Sequence, residues 1–438
     1  MVAVAAGRKE NVLVVGSGGR EHALAWKLAQ SSTCGQLYVA PGNAGTQLEH
    51  NMVTLPSLSV TQHDKVVAFC REKGVGFVVV GPEQPLVEGL VDSLTAAGIT
   101  AFGPTAAAAQ LEGSKAFMKN ICRKHGIPTA GYDVFRGPRE AKAFIKAHGA
   151  PIVVKTSGLA AGKGVIVAQT LEEAYQAVDD MLLNNAFGEA SAGAQIVVEE
   201  FLTGEEASFF AFIDGETCIP LVGAQDHKAV GDGDTGPNTG GMGSYSPAPV
   251  LTPDIEAQTM RDIVIPTARA MCAEGVPFRG VLFAGLMIKD GQAKLLEHNV
   301  RFGDPECQSL MVRLQSDLLE SLMAACRGEK DVKLEWSADP SLTVVLAAKG
   351  YPGSYAKGSP ITNLEAVTGA KVFHAGTAMK DGQVVSAGGR VLGVTATGGD
   401  VLEAQQRAYA AVDQIHFPDG FCRRDIGWRA VARLRQAA

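Results

Sequence analysis

The chain has 438 residues, of which 46 % are hydrophobic and 19 % charged, with a formal net charge of −7. That length calls for about three domains at roughly 150 residues each, and the composition is globular rather than disordered. The acidic balance leaves no basic surplus for a nucleic-acid backbone, and eight scattered cysteines without a C-x-x-C pair argue against a zinc ribbon or a disulfide scaffold and fit a reducing cytosol.

From residue 11 to about 110, short apolar runs alternate with amphipathic stretches. Residues 11–16, 36–40, 76–81 and 99–102 read as parallel strands buried on both faces, separated by helices over roughly 20–31, 61–73 and 84–97. The run after Asn11 is too short to span a membrane. The first ten residues read as a frayed end, with Arg8 and Lys9 leaving a targeting peptide as the alternative; otherwise a cytoplasmic protein without membrane contact is expected. A doubly wound domain of this kind binds ligands at the carboxyl ends of its strands.

The pattern shifts at Gly113. A helix to His125 is followed by an edge strand, a helix near 138–148, a strand 151–155, a glycine-rich loop, a strand 165–169, a helix near 171–183 and a strand 195–200. Asp214-Gly215 and Asp290-Gly291 mark hairpins. Residues 226–249 are so rich in Gly, Asp, Asn and Pro that they read as one long functional loop. The last hundred residues offer strands at 342–348, 371–374 and 390–395 and a helix near 401–413.

Five constellations carry chemistry. Gly16-Ser-Gly-Gly-Arg-Glu-His22 follows the first strand and opens a helix, so it reads as a phosphate or carboxylate site, or else as a tight turn. It fails the dinucleotide fingerprint, because Glu21 stands where the third glycine belongs. Lys155-Thr-Ser-Gly-Leu-Ala-Ala-Gly-Lys-Gly164 presents two lysines about a small-residue flap, suited to phosphoryl oxygens; Gly164 rules out a Walker A loop. Glu199-Glu-Phe-Leu202 and Glu206 offer backbone to an adenine edge and a carboxylate to a ribose, or form a solvated acidic turn. Glu297 and Asn299, two apart on a strand, face one side as hard oxygen ligands for Mg²⁺, with Arg301 beyond them and Gly-Asp-Pro-Glu following. In the long loop, Asp226 and Lys228 are placed to hold an amine and a carboxylate, and Gly236–Gly243 allows ordering around substrates.

Together these segments resemble the ATP-grasp superfamily, and within it the phosphoribosylamine–glycine ligases (glycinamide ribonucleotide synthetases). Pro41-Gly-Asn-Ala-Gly-Thr46, Gly81-Pro-Glu83, Arg301–Glu306 and Lys349-Gly-Tyr-Pro-Gly353 carry the match further, over essentially residues 11–433. The resemblance implies an α/β chain of three domains. These are an N-terminal doubly wound parallel-sheet domain (10–112), a central ATP-grasp fold of two α+β subdomains (113–335, mobile part about 128–200) and a small C-terminal α+β domain (336–438).

It also implies ATP-dependent ligation of glycine to 5-phosphoribosylamine through glycyl phosphate, in purine synthesis, with Mg²⁺ or Mn²⁺. ATP is then expected at Lys115, Lys155, Lys163, Glu199, Glu200, Phe201, Leu202, Glu206, Lys228 and Asn238. Metal is expected at Glu297 and Asn299. The two substrates are expected at Gly18, Gly19, Arg20, Glu21, Asp226, Lys228, Arg301, Gly303 and Asp304, with Arg301, Asp226 and Lys163 catalytic. Fusion to or association with other purine-pathway enzymes is a further expectation. Many superfamily members place another metal-binding carboxylate on the preceding strand, where this chain has Ala284-Gly-Leu-Met287; either fewer protein groups hold metal, or Asp226 or water fills in. Rival readings are a formate-dependent transformylase, a biotin carboxylase, or a nucleotide-binding regulator without catalysis.

Overall fold

The computed structural model describes residues 9–159, 164–184 and 195–437, and its first unit follows from the apolar runs. Strands Glu10–Gly16, Cys34–Pro41, Met52–Thr54, Val75–Val80 and Thr100–Phe102 form one parallel sheet. Glu10–Gly16 lies in its centre, between Cys34–Pro41 and Val75–Val80. Val12, Leu13, Val14 and Val15 have no solvent exposure, as coverage on both faces requires. Met52–Thr54 is too short a strand to stand out from the sequence. The expected helix over 84–97 is two helices, Glu83–Val87 and Leu90–Ala96, because Gly89 between them takes φ +86°. The strand order sets Gly16 and Gly81 side by side at the carboxyl edge, with Gly81 N–H donating to Val15 O at 3.0 Å.

Helix Lys115–His125 leads into an antiparallel sheet ordered Tyr132–Phe135, Ile196–Glu200, Ile152–Thr156, Val165–Ala168. Helices Pro138–His148 and Leu171–Leu182 pack on it through Ala141, Ile145, Ala174 and Val178, which meet Val154 and Ile196 in a core that no other sheet enters. A second antiparallel sheet is ordered Thr217–Pro220, Glu205–Asp214, Arg279–Lys289, Gln292–Asn299. Both expected hairpins form within it. Asp290 and Gly291 both have positive φ, at 50° and 73°, as a two-residue primed turn demands.

The last sheet corrects the reading of residues 226–249 as a structureless loop. Its order is Gln225–Asp226, Gly243–Ser246, Ser341–Ala348, Arg390–Thr397, Lys371–His374, with Gly420–Phe421 also on Ser341–Ala348. Between its first two strands, Ala229–Gly231 and Thr235–Asn238 pair as a hairpin. The acidic residues that suggested solvent instead meet cations of the C-terminal segment: Asp234 binds both Arg423 and Arg429. This sheet therefore joins strands from both sides of the expected 335/336 boundary. Among the described residues, no helix is long and apolar enough to cross a membrane.

Candidate active site

A cleft of about 530 Å³ is lined by residues from the four larger sheets or the turns that leave them, among them Glu83, Lys155, Glu297 and Asp226. The wall that holds Glu297 depends on an irregularity in strand Gln292–Asn299. Ala293 and Leu295 point into the apolar core, so strict alternation would send residues 297 and 299 there too. Leu286 pairs with Leu295 and Gly285 with Glu297, leaving Leu296 as an extra residue. This bulge resets the alternation. Glu297 and Asn299 line the cleft, while the His298 imidazole is buried and bonded to Thr267 at 3.1 Å.

Glu297 has no hydrogen-bond or ion-pair partner among the described residues. Burial opposes its charge, but Lys228, Lys115, Lys155 and Arg301 outweigh that and hold its carboxyl below the usual range. Asn299 accepts from Arg301 Nη2 at 3.2 Å. A half-buried carboxylate with no partner among the described residues, beside an amide oxygen, is a hard-cation donor set. Mg²⁺ or Mn²⁺ fits here with two protein ligands, phosphate oxygens and water supplying the rest. Gly285, opposite Glu297, contributes no carboxylate.

The lysines divide into braced and free. The Glu199 carboxylate is buried between Lys155 and Lys119, the latter at 2.5 Å. Glu200, Phe201 and Leu202 line the cleft, near Val153, Met287 and Leu296. Lys115 opens helix Lys115–His125 and reaches the cleft with no side-chain partner among the described residues. Burial pushes its ammonium pKa down, with Glu297 pulling the other way. An anion is what such a cation lacks. Lys163 lies outside the described residues.

Two arginines adjoin this wall, sharing the Phe302 carbonyl at 3.1 Å (Arg20) and 3.2 Å (Arg301). Arg301 also donates to Glu83 at 3.1 Å and Glu112 at 2.6 Å, which with Asn299 occupies all but one of its N–H groups. Arg20 gives Nε to Glu21 at 2.5 Å, and its Nη2 has no protein acceptor among the described residues. Glu21 itself is not in the cleft wall. Its carboxylate accepts the Gly18 N–H at 2.7 Å, and it fills the space that a Cβ on Gly16 or Gly81 would need. The residue that breaks the dinucleotide fingerprint thus braces the loop from behind, and Gly18 and Gly19 stand behind Arg20 as well. Gly303 and Asp304 reach the cleft, Asp304 accepting from Gln308 at 2.8 Å.

Asp226, Lys228, Glu206 and Asn238 form the remaining wall. Lys228 Nζ donates to Glu206 at 2.8 Å. Burial raises the Asp226 carboxyl to about 7, against the pull of Lys228 and with the push of nearby Glu306 and Glu206. A carboxyl so placed gains by meeting a cation. Residues the sequence reading missed are Lys119, Glu112 and Arg390. Arg390 donates to the carbonyls of Gly240 at 2.6 Å and Asp304 at 2.5 Å. Each is a lone charge in an ordinary element, and only tertiary packing gives it meaning.

Comparisons with known proteins match this arrangement along the chain. The models of the phosphoribosylglycinamide synthetase N domain, ATP-grasp (A) domain and C domain match residues 10–112, 113–307 and 341–429. A phosphoribosylamine–glycine ligase of Agrobacterium fabrum is 59 % identical over 424 residues, covering 96 % of this chain and 99 % of that one. A chloroplastic phosphoribosylamine–glycine ligase of Arabidopsis thaliana is 59 % identical over 427 residues, 96 % of this chain and 80 % of that one. The crystal structure of a phosphoribosylamine–glycine ligase from Thermotoga maritima superposes with a TM-score of 0.83 at 34 % identity, covering 95 % of this chain and 100 % of that one. A biotin carboxylase domain from Hydrogenobacter thermophilus, solved with MgADP, shares the fold alone, with a TM-score of 0.71 at 17 % identity over 94 % of this chain and 91 % of that one.

Proposed function

The chain belongs to the phosphoribosylglycinamide synthetase family, and from that premise we propose that its cleft joins glycine to 5-phosphoribosylamine at the expense of ATP, giving glycinamide ribonucleotide, ADP and phosphate. The observation that carries the chemistry is one continuous cleft. Its wall carries Lys115 and Glu297, both without a side-chain partner among the described residues, together with Arg20 and the cation-seeking Asp226. Phosphate, metal, a sugar phosphate and an amine each find a complementary group in reach of the others.

In this reading adenine lies against Phe201, Leu202, Met287 and Leu296, and the phosphates meet Lys115 and Lys155. Mg²⁺, held by Glu297 and Asn299, supplies charge neutralisation for the polyphosphate. Asp226 takes the glycine ammonium. The glycine carboxylate oxygen attacks the γ-phosphorus, and the bond to the β–γ bridging oxygen breaks, releasing ADP. The amine nitrogen of phosphoribosylamine, whose phosphate Arg20 receives, then attacks the acyl carbon. The C–O bond to phosphate breaks, and the nitrogen gives up a proton. No enzyme atom bonds to substrate, so catalysis is positioning and charge stabilisation. Arg301 holds Glu83, Glu112 and Asn299 in place and offers its last N–H to the transferring group. The separate core of the 128–200 subdomain suits a lid that closes over ATP, and a cytoplasmic enzyme remains the expectation.

The test is phosphate release from ATP with phosphoribosylamine generated in situ. Release should require glycine; release that needs bicarbonate or formate instead would overturn the reading.

A further inference from the structure

The row of cleft residues Glu206, Asp226 and Lys228 alternates along the chain with a second row, Glu205, Gln225 and His227, that faces away from the cleft. The second row is gripped by the C-terminal segment. Arg433 makes a two-pronged pair with Glu205, at 2.8 and 2.6 Å, and Glu205 also accepts from Gln225 at 2.6 Å. Gly427 N–H donates to His227 Nε2 at 2.9 Å, which puts the ring proton on Nδ1, 3.7 Å from Asp234. Asp234 is held in turn by Arg423 at 3.0 Å and Arg429 at 2.5 Å. Arg423 is buried, bonds the Ala229 carbonyl at 3.1 Å, and is squared by Asp425 at 2.8 Å through both Nε and Nη2. Asp425 and the Arg424 N–H fasten the hairpin tip at Gly233 and Asp232, both at 2.8 Å.

Neighbouring residues on extended backbone point to opposite sides, so fixing one row aims the other. We infer that Arg423, Arg429 and Arg433 are positioning residues for the reaction: the C-terminal segment sets the aim of Asp226 and Lys228 through His227 and Asp234, and of Glu206 through Glu205. The two branches touch where Lys228 meets Glu206 and where Glu205 holds Gln225, so they differ in which ligand each affects most. Arg433 acts on the side of the cleft assigned to the nucleotide ribose, and Arg429 on the side assigned to glycine. The inference rests on that assignment of the cleft.

Arg423 is too buried for a clean variant, so the test uses the half-exposed Arg429→Gln and Arg433→Gln in the full chain. Each is checked for an intact melting transition, with Asp226→Asn assayed alongside. Misaimed binding groups act on the ligand they hold, so Arg429→Gln should raise the glycine KM about tenfold and leave the ATP KM within about twofold. Arg433→Gln should do the reverse. Arg429→Lys, which keeps the charge on Asp234, should recover part of the glycine effect. Folded variants with unchanged KM values, or with both KM values raised alike, overturn the positioning role. If Asp226→Asn raises the glycine KM and Arg429→Gln does not, the inference fails while the reading of the cleft stands. If Asp226→Asn has no effect on glycine, that reading fails and takes the inference with it.

Discussion

Arg20 and Arg301 sit side by side on one carbonyl, yet their surroundings give them different work. Arg301 spends nearly all its donors on Glu83, Glu112, Asn299 and Phe302, whereas the Nη2 group of Arg20 has no acceptor among the described residues. Arg20→Ala should therefore raise the KM for phosphoribosylamine by about 100-fold, with ATP affected less than threefold, since a charge-assisted pair is worth about 2–3 kcal/mol. Steady-state KM values decide it; equal effects on both substrates would remove Arg20 from the sugar phosphate. Arg301→Lys should instead depress kcat, because a single ammonium cannot hold Glu83, Glu112 and Asn299 together. Glu297→Gln keeps the shape but discards the charge that four cations surround. Its Mg²⁺ activation curve should shift by about tenfold or more to higher metal, and an unchanged curve would exclude Glu297 as a ligand. Residues of this kind were legible in the sequence because strand spacing and glycine-rich context announced them. Lys119 and Glu112 were not, since a lysine or glutamate on a helix is ordinarily solvated, and only burial against Glu199 or Arg301 makes it otherwise.

At the scale of elements, one extra residue in strand Gln292–Asn299 reconciles a core-facing Leu295 with a cleft-facing Glu297. The sequence placed Glu297 and Asn299 on one face, and that holds, but period-two reasoning alone could not say which face. Leu295 and Glu297 share parity while one is core and the other cleft. Deleting Leu296 would make Leu295 and Glu297 consecutive, keep Gly285 opposite Glu297 and leave Glu297 and Asn299 on the cleft side. The shortened strand should therefore retain ATP binding in titration calorimetry. Lost binding would show that Leu296 itself is needed to shape this wall. The 226–249 segment misled for the opposite reason. Its composition is that of a loop, but Asp232 and Asp234 are satisfied by residues almost two hundred positions later, and no local pattern carries that information.

Across the whole molecule, the first and last units are tied through neutral histidines. His22, just after the glycine loop, accepts the His374 N–H on Nδ1 at 2.9 Å, so its proton sits on Nε2, 3.3 Å from Glu49. His374 donates or accepts at Thr377 at 3.1 Å, and burial, then His22 and Lys371, push its pKa down to about 3. His22 is lowered chiefly by burial, and so are His227 and His298, the last to about 4. A depressed histidine takes up its proton in the unfolded chain first. Stability is therefore full above the ordinary value of 6.5 and falls as pH drops from there toward the native value, by about 1.4 kcal/mol per pH unit for each such group. Asp226 runs the other way, since its raised carboxyl is protonated in the native state from about 7 downward and gains stability on acidification. Between pH 6.5 and 5 the four histidines draw stability down with acid, opposed by Asp226 and by Glu112 and Glu256, whose carboxyls burial also raises. His374→Gln, able to keep a side-chain bond to Thr377 without titrating, should flatten the slope of urea-unfolding free energy against pH by about one proton's worth, roughly 1.4 kcal/mol per unit. Identical slopes for the two proteins would mean that His374 does not stay neutral where the first and last units meet. The same experiment on His298→Gln, at a buried imidazole bonded to Thr267, separates a general burial effect from one specific to that junction. Its slope should flatten equally, but only His374→Gln should also loosen the hold of the C-terminal unit on helix Gly19–Leu28, read as faster amide exchange at the glycine loop.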